Sequence, residues 1–251
     1  MHKALEAGFW GCVAGMALLL GAGVGYLAPV PRRVVAGIMG FGGGVLISAL
    51  AFDLMDEAYR RGGFDSTSIG FLGGAVIYTA ANWLVARRGA KHRKRSGGQQ
   101  PSEEEHPGSG SAIVIGALID GIPESIAIGV SLISGGSVRA AAVVAIFLLN
   151  LPEGLSASIG MKRAGRSARY IFGLHAAIVA VSAVAALVGY AVFSRFSKEV
   201  IAATTAVAAG GILAMLSDTM MPEAFEEGHE MIGLVTVIGF LAAFVLTKLG
   251  G

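Results

Sequence analysis

ALIDGIPESIAIG at residues 117–129 and FLLNLPEGLSASIG at residues 147–160 each set a proline, followed at once by a glutamate, inside a strongly apolar run. A third pair, Pro222-Glu223, closes a later run. Proline within a helix deletes one backbone hydrogen bond and kinks the axis. A carboxylate at bilayer depth costs about 2.5 to 3.5 kcal/mol on insertion scales. A chain that does both side by side reads as one building a polar site in the middle of a membrane.

The surrounding composition agrees. Of 251 residues, 54% are hydrophobic and 14% charged, against about 25% charged in a typical soluble domain. Mean hydropathy is +0.70. The 38 glycines suit closely approaching membrane helices. One cysteine, Cys12, allows no internal disulfide and leaves the redox compartment open. No cleavable signal peptide is evident. The net charge of +2 says little, because charge here is a matter of topology.

A spanning helix needs about 20 apolar residues. Eight runs qualify, at 8–28, 34–58, 69–87, 111–134, 138–161, 169–193, 200–224 and 231–249. The expected fold class is an all-α integral membrane protein, an eight-helix bundle with 1–251 as a single transmembrane domain. Pro29 and Pro31, Arg60 to Gly63, and Gly135-Gly136 punctuate it. Residues 88–110, RGAKHRKRSGGQQPSEEEHPGSG, are polar throughout and read as a flexible, solvated cytoplasmic loop. His92, His106 and Glu103 to Glu105 could sample metal there. Twelve Lys and Arg fall on one side of the predicted topology and seven on the other. That bias puts both termini outside. Short loops and compact length suggest a bacterial inner membrane, crossed many times.

Residues 44–58, GVLISALAFDLMDEA, align without a gap on 210–224, GGILAMLSDTMMPEA. These stretches fall in the second and seventh runs, which the topology sends in opposite directions. Inverted repeats mark transporters with a site near the midplane.

In the fourth run Asp120 and Glu124 are four apart, hence on one face; in the fifth, Asn150 and Glu153 are three apart and share a face too. Pro123 leaves the carbonyl of Ile119 without its helical donor, and Pro152 that of Leu148. Unpaired, Asp120, Glu124 and Glu153 would cost about 8 to 10 kcal/mol together, comparable to the stability of an ordinary domain. No Lys, Arg or His lies within these runs at that depth; Arg139, Lys162 and Arg163 sit at their ends. A salt bridge inside the pair is therefore not expected. A divalent cation, or a proton when the site is empty, is the natural partner. The plainer reading keeps the carboxyls protonated and hydrogen-bonded to neighbouring helices.

Other residues are secondary. Asp53 and Glu57 read as a cation entrance or as a hydrated helix end, and Asp218 as part of the path. Glu223, Glu226, Glu227, His229 and Glu230 read as an acidic inner mouth or an ordinary charged loop. His175 reads as a satisfied packing residue, as do Met215, Met220 and Met221.

The successive Pro-Glu helices, their glutamates 29 residues apart, follow a His-containing cytoplasmic loop. Together with DLMDEA at 53–58 and DTMMPEAFEEGH at 218–229, this pattern resembles the ZIP (Zrt/Irt-like) metal transporters. The resemblance covers nearly the whole chain and implies a binuclear metal centre between the fourth and fifth helices. The family's fourth-helix motif, His-Asn-x-Pro-Glu-Gly, is Asp120-Gly121-Ile122-Pro123-Glu124-Ser125 here. In the fifth helix Leu149 replaces a family ligand, while Asn150 and Glu153 keep two. Alignment on ALVGY at 186–190 turns a Glu-Pro pair of bacterial members into Ser182-Ala183. One oxygen-rich site remains, Asp120, Glu124, Asn150 and Glu153, with Ser182 as a weak extra. Oxygen ligands suit Mn²⁺, Mg²⁺ or Fe²⁺, whereas zinc is the family default.

The expected function is inward transport of a divalent metal ion: zinc, or related iron, manganese or cadmium. A carrier of something other than metal, coupled to protons or sodium, is one alternative. A membrane metal sensor or scaffold without transport is another. The expected partners are divalent metal ions and the lipid bilayer; a homodimer is compatible with the sequence, and nucleic acid is not expected. No resident cofactor is implied. No P-loop, His-Glu-x-x-His or Gly-x-Gly-Asp motif occurs, so no enzyme is expected.

Overall fold

The structure, a computed structural model, describes residues 2–135 and 140–249. Gly136 and Arg139, expected at helix ends, lie outside the described residues. The described chain is helical and contains no strand. In chain order come α1 (His2–Leu27), α2 (Arg32–Ala49), a π-helical turn at Leu50–Met55, and α3 (Asp56–Val85) with a second π turn at Ala86–Ala90. After a linker follow α4 (Ser109–Gly135), α5 (Ala140–Arg163), α6 (Ala168–Phe193) and α7 (Lys198–Met215). A third π turn at Leu216–Met220 leads into α8 (Met221–Gly228), and α9 (Met231–Leu249) closes the chain. Among the described residues, seven helical stretches are long and apolar enough to cross a membrane. The chain is a multi-pass α-helical membrane protein.

The sequence suggested eight separate runs, and the difference lies at Gly63. Residues Arg32–Ala90 form one 59-residue helical stretch. A straight helix of that length would reach about 90 Å, three times a hydrocarbon core of about 30 Å. Gly63 (φ 70°, ψ −171°) breaks the line, in a conformation that only glycine adopts at no steric cost. Arg60 pairs with Asp56 at 2.9 Å and Arg61 with Glu57, so the residues before the bend support each other one helical turn apart. The expected loop is thus a bend with no intervening coil.

The arms on either side of Gly63 pack on different helices. Gly44 of α2 lies against the backbone of Thr236 and Phe240 of α9, so closely that a β-carbon there would overlap the Thr236 carbonyl. Gly210 of α7 lies in the same way against Phe71 and Ala75 of α3. The partners answer in kind: Gly239 of α9 packs on Phe41, and Gly74 of α3 on Val207. Such contacts gain dispersion by bringing backbones together, the main attraction between helices in lipid. Gly44 and Gly210 are also the first residues of the two aligned stretches, and Leu50 and Leu216, which align, each open a π turn. A π turn often marks a functional position.

Met39, Leu46, Ile128, Leu149, Ile212, Met215, Leu216 and Met220 fill the core between α2, α4, α5 and α7. Met215 and Met220 are packing residues, as expected. Pro123 and Pro152 both remain inside continuous helices. Each proline-bearing segment faces a glycine: Gly42 of α2 near Leu148 and Pro152, Gly211 of α7 near Pro123.

Candidate functional site

Asp120 comes from the middle of α4 and is 2% exposed. Its two oxygens are taken by a guanidinium. Arg93 Nε donates to Oδ2 at 2.8 Å and Nη2 donates to Oδ1 at 2.7 Å. Tyr78 of α3 donates its hydroxyl to the same Oδ1 at 2.8 Å. Arg93 Nη1 donates to Asn82 Oδ1 at 2.8 Å and to the Ala90 carbonyl at 3.3 Å. A planar guanidinium gripping both oxygens of a carboxylate is among the strongest polar contacts a protein makes.

Glu153, one turn of α5 beyond Asn150, is joined to Asp120 by a second cation. Lys94 Nζ stands 3.0 Å from Glu153 Oε1 and 3.4 Å from Asp120 Oδ2. The placement is that of an ion pair, and no hydrogen bond of good angle forms. Glu124 is 2% exposed, and its Oε1 has no hydrogen-bond partner among the protein atoms. Three buried carboxylates therefore face two buried cations. Taking one partner away from such a group leaves an uncompensated buried charge, which is strongly destabilising.

Both cations come from the linker between α3 and α4, which corrects the expectation of a wholly solvated loop. Residues 93–100 include four buried polar side chains: Arg93, Lys94, Ser96 and Gln100. Gln100 Nε2 donates to the carbonyls of Arg93 (2.8 Å), Arg95 (3.0 Å) and Ala157 (3.2 Å). Ser156 of α5 donates to the Lys94 carbonyl at 2.5 Å. The other half, from Glu103 to Gly108, is exposed. The physical reason is charge: the carboxylates of α4 and α5 have no cation at their own level in those helices, where Lys162 and Arg163 lie in the last turn of α5, and the basic run supplies it. No salt bridge was expected inside the α4–α5 pair itself, and the cations that pair Asp120 and Glu153 come from outside it.

Glu223 of α8 extends the same arrangement. Expected at an open acidic mouth, it is 2% exposed. Its Oε1 accepts the Ser96 amide at 2.8 Å and shares the single Ser156 hydroxyl proton with the Lys94 carbonyl, while Oε2 has no partner. Beyond it Glu226 pairs with Arg95 and accepts from Gln99 at 2.9 Å, and Glu227 pairs with Arg32 at 3.2 Å. The linker is thus laid along a row of carboxylates from Asp120 outward.

The remaining expected residues fall as follows. Asn150 is buried, and its amide nitrogen donates to the Ala14 carbonyl of α1 at 3.0 Å. Ser182 is buried on α6, beside Gly15 and Gly121. Asp53 is not a hydrated helix end: it is 5% exposed and accepts from Thr247 of α9 at 3.5 Å. Glu57 pairs with Arg61. Asp218 is exposed at a cavity of about 60 Å³ that it shares with linker residues 91–95. His229 is exposed and ends α8 with φ 51°. In the loop, Glu103 is bound by Arg166 and by the amides of Gly108 and Gly110. Those three donors, the Arg166 contact foremost, lower its carboxyl to about 2. Burial, then the charges of Arg95 and Lys91, lowers the His92 imidazole below its ordinary value.

His175 carries more than the sequence suggested. Its Nδ1 donates to the Ile171 carbonyl at 2.7 Å, so it is a satisfied buried histidine as expected. It also lines a cavity of about 20 Å³ together with Lys94, Asp120 and Glu153. With Nδ1 carrying the proton, Nε2 keeps its lone pair.

Among the described residues, no three His, Cys, Asp or Glu side chains gather into a ready-made metal cage. The cations of the linker occupy the space between the acidic groups. Compared with known proteins, the chain matches no family model and no curated protein.

Proposed function

We propose that the protein carries a divalent metal ion across the membrane through Asp120, Glu124 and Glu153. One observation carries this reading: carboxylates from two proline-kinked helices meet on a single buried ammonium, that of Lys94. Groups that converge on one tethered cation are placed to share a mobile one. The oxygen set suits Mn²⁺ or Fe²⁺, and His175, which lines the same cavity, offers an imidazole of the kind zinc prefers. Asn150, with its amide bonded to α1, serves as a support.

In this reading Gly63 turns the chain at the outer surface. The crossings then number eight, both termini face outward, and the linker lies on the cytoplasmic side, as in the ZIP transporters the sequence resembles. The matched glycine crossings at Gly44 and Gly210, and the two aligned π turns, support an inverted repeat. Two such halves rocking about a fixed site would give alternating access, with metal moving inward.

The bidentate hold of Arg93 on Asp120 favours a second reading, a membrane metal sensor or scaffold that never opens. Uptake of Mn²⁺ and Zn²⁺ into proteoliposomes separates the two. The carrier reading expects flux that Glu124→Ala and Glu153→Ala each abolish. Flux unchanged by both substitutions defeats it, and ion binding without flux favours the sensor. Proton or sodium flux with no metal uptake would point to a non-metal carrier.

A further inference from the structure

We infer that residues 93–100 of the linker are a displaceable stand-in for the transported cation, so that ion binding and linker burial exclude each other. The inference rests on the carrier reading. Lys94 contributes its positive charge at the place where Asp120 and Glu153 would hold an ion. Its hold is the looser of the two cations, since Arg93 makes hydrogen bonds to Asp120 and Lys94 makes none of good angle.

The seated segment is incompletely satisfied. Ser96 Oγ and Gln100 Oε1 are buried without a hydrogen-bond partner among the protein atoms, and Lys94 Nζ is held by charge alone. A buried polar group left unmade costs free energy that it regains in water. Electrostatic attraction draws the segment in, and these orphaned groups favour its release. Its far end is fastened independently: Arg166 bonds Glu103 at 2.5 Å and Ser109 Oγ at 2.6 Å. Residues 93–100 can therefore leave while the start of α4 stays in place. Their departure would uncover buried Glu223 and release the already exposed Glu226, now bonded to the Ser96 amide and to Arg95 respectively, as further acidic stations along the same line.

Coupling of this kind is reciprocal. If an ion expels the linker, the linker weakens the ion by the same factor.

The test uses the full chain in lipid nanodiscs, with Mn²⁺ and Zn²⁺ as probes. Lysine acylation by acetic anhydride is read at each site by mass spectrometry, and exposed Lys91 serves as the internal control. Lys94 should be protected without ion and should become reactive in proportion to the ion bound, while Lys91 reacts throughout. Lys94→Met should tighten ion binding in equilibrium dialysis by about 5- to 150-fold, the usual range of coupling between two binding events. Lys94 reacting as fast as Lys91 without ion overturns the inference and leaves the carrier reading standing. So does Lys94 remaining protected with ion bound, or an unchanged affinity in Lys94→Met. Failure of both the native chain and Lys94→Met to bind either ion overturns both.

Discussion

Arg93 reaches from the linker to hold Asp120 by both oxygens, at 2.8 and 2.7 Å, and the Tyr78 hydroxyl, itself 3.2 Å from Arg93 Nη2, donates to the same carboxylate. Asp120→Ala removes the acceptor and strands a buried guanidinium. A loss of about 3–5 kcal/mol is expected for breaking such a pair from one side. Thermal unfolding in a fixed detergent measures it. The paired substitution Asp120→Leu with Arg93→Met should recover most of the loss, because neither charge is then left buried. A double variant no more stable than Asp120→Ala would show that the ion pair is not the source.

The helix crossings at Gly44 and Gly210 leave no room for a side chain. Gly44→Ala and Gly210→Ala should each cost about 1–3 kcal/mol through overpacking, and the two effects should be alike if the crossings are equivalent. Gly233, with nothing near its missing β-carbon, is the control. Gly233→Ala should be neutral or stabilising by up to about 1 kcal/mol. Thermal unfolding of the three variants side by side decides it.

His175→Ala should separate zinc from manganese. An imidazole nitrogen favours zinc, whereas carboxylate oxygens suit both ions. Zn²⁺ affinity should fall about tenfold or more, by the usual effect of losing a metal-supporting group, while Mn²⁺ affinity changes little. Equal losses for both ions would mark His175 as a packing residue alone.

The surface tie between Glu103 and Arg166 sets a pH dependence. The folded-state carboxyl is lowered to about 2 from an ordinary 4.5, by Arg166 first and then by the Gly108 and Gly110 amides. Its stabilisation is therefore fully present above pH 4.5 and fades as pH falls toward about 2. The stability difference between the native chain and Glu103→Gln should be flat above that window and should shrink within it. Because the group is exposed, the difference should be small. A gap that widens with acid would contradict the assignment.

The apolar runs and the acidic residues beside the prolines could be read from sequence because both follow from local rules: helix length against bilayer thickness, and the cost of an unpaired charge in lipid. What pairs those charges could not. KHRKR at 91–95 has the composition of a solvated linker, and its burial depends on carboxylates supplied by α4, α5 and α8. The signal was nonetheless present, in that three carboxylates inside apolar runs, with no cation at their level in those runs, require one from elsewhere. The amide of Asn150 turned to Ala14 of α1, a contact set by tertiary packing that no spacing rule anticipates. At Gly63 the sequence announced an interruption, but its form depends on a single backbone conformation.

Arg93 and Lys94 together bring two units of positive charge into the interior. One divalent ion brings the same. Exchanging the tethered pair for an ion arriving from outside would leave the interior charge unaltered, yet both movements carry positive charge toward the cytoplasm, so a membrane potential negative inside would favour the swap.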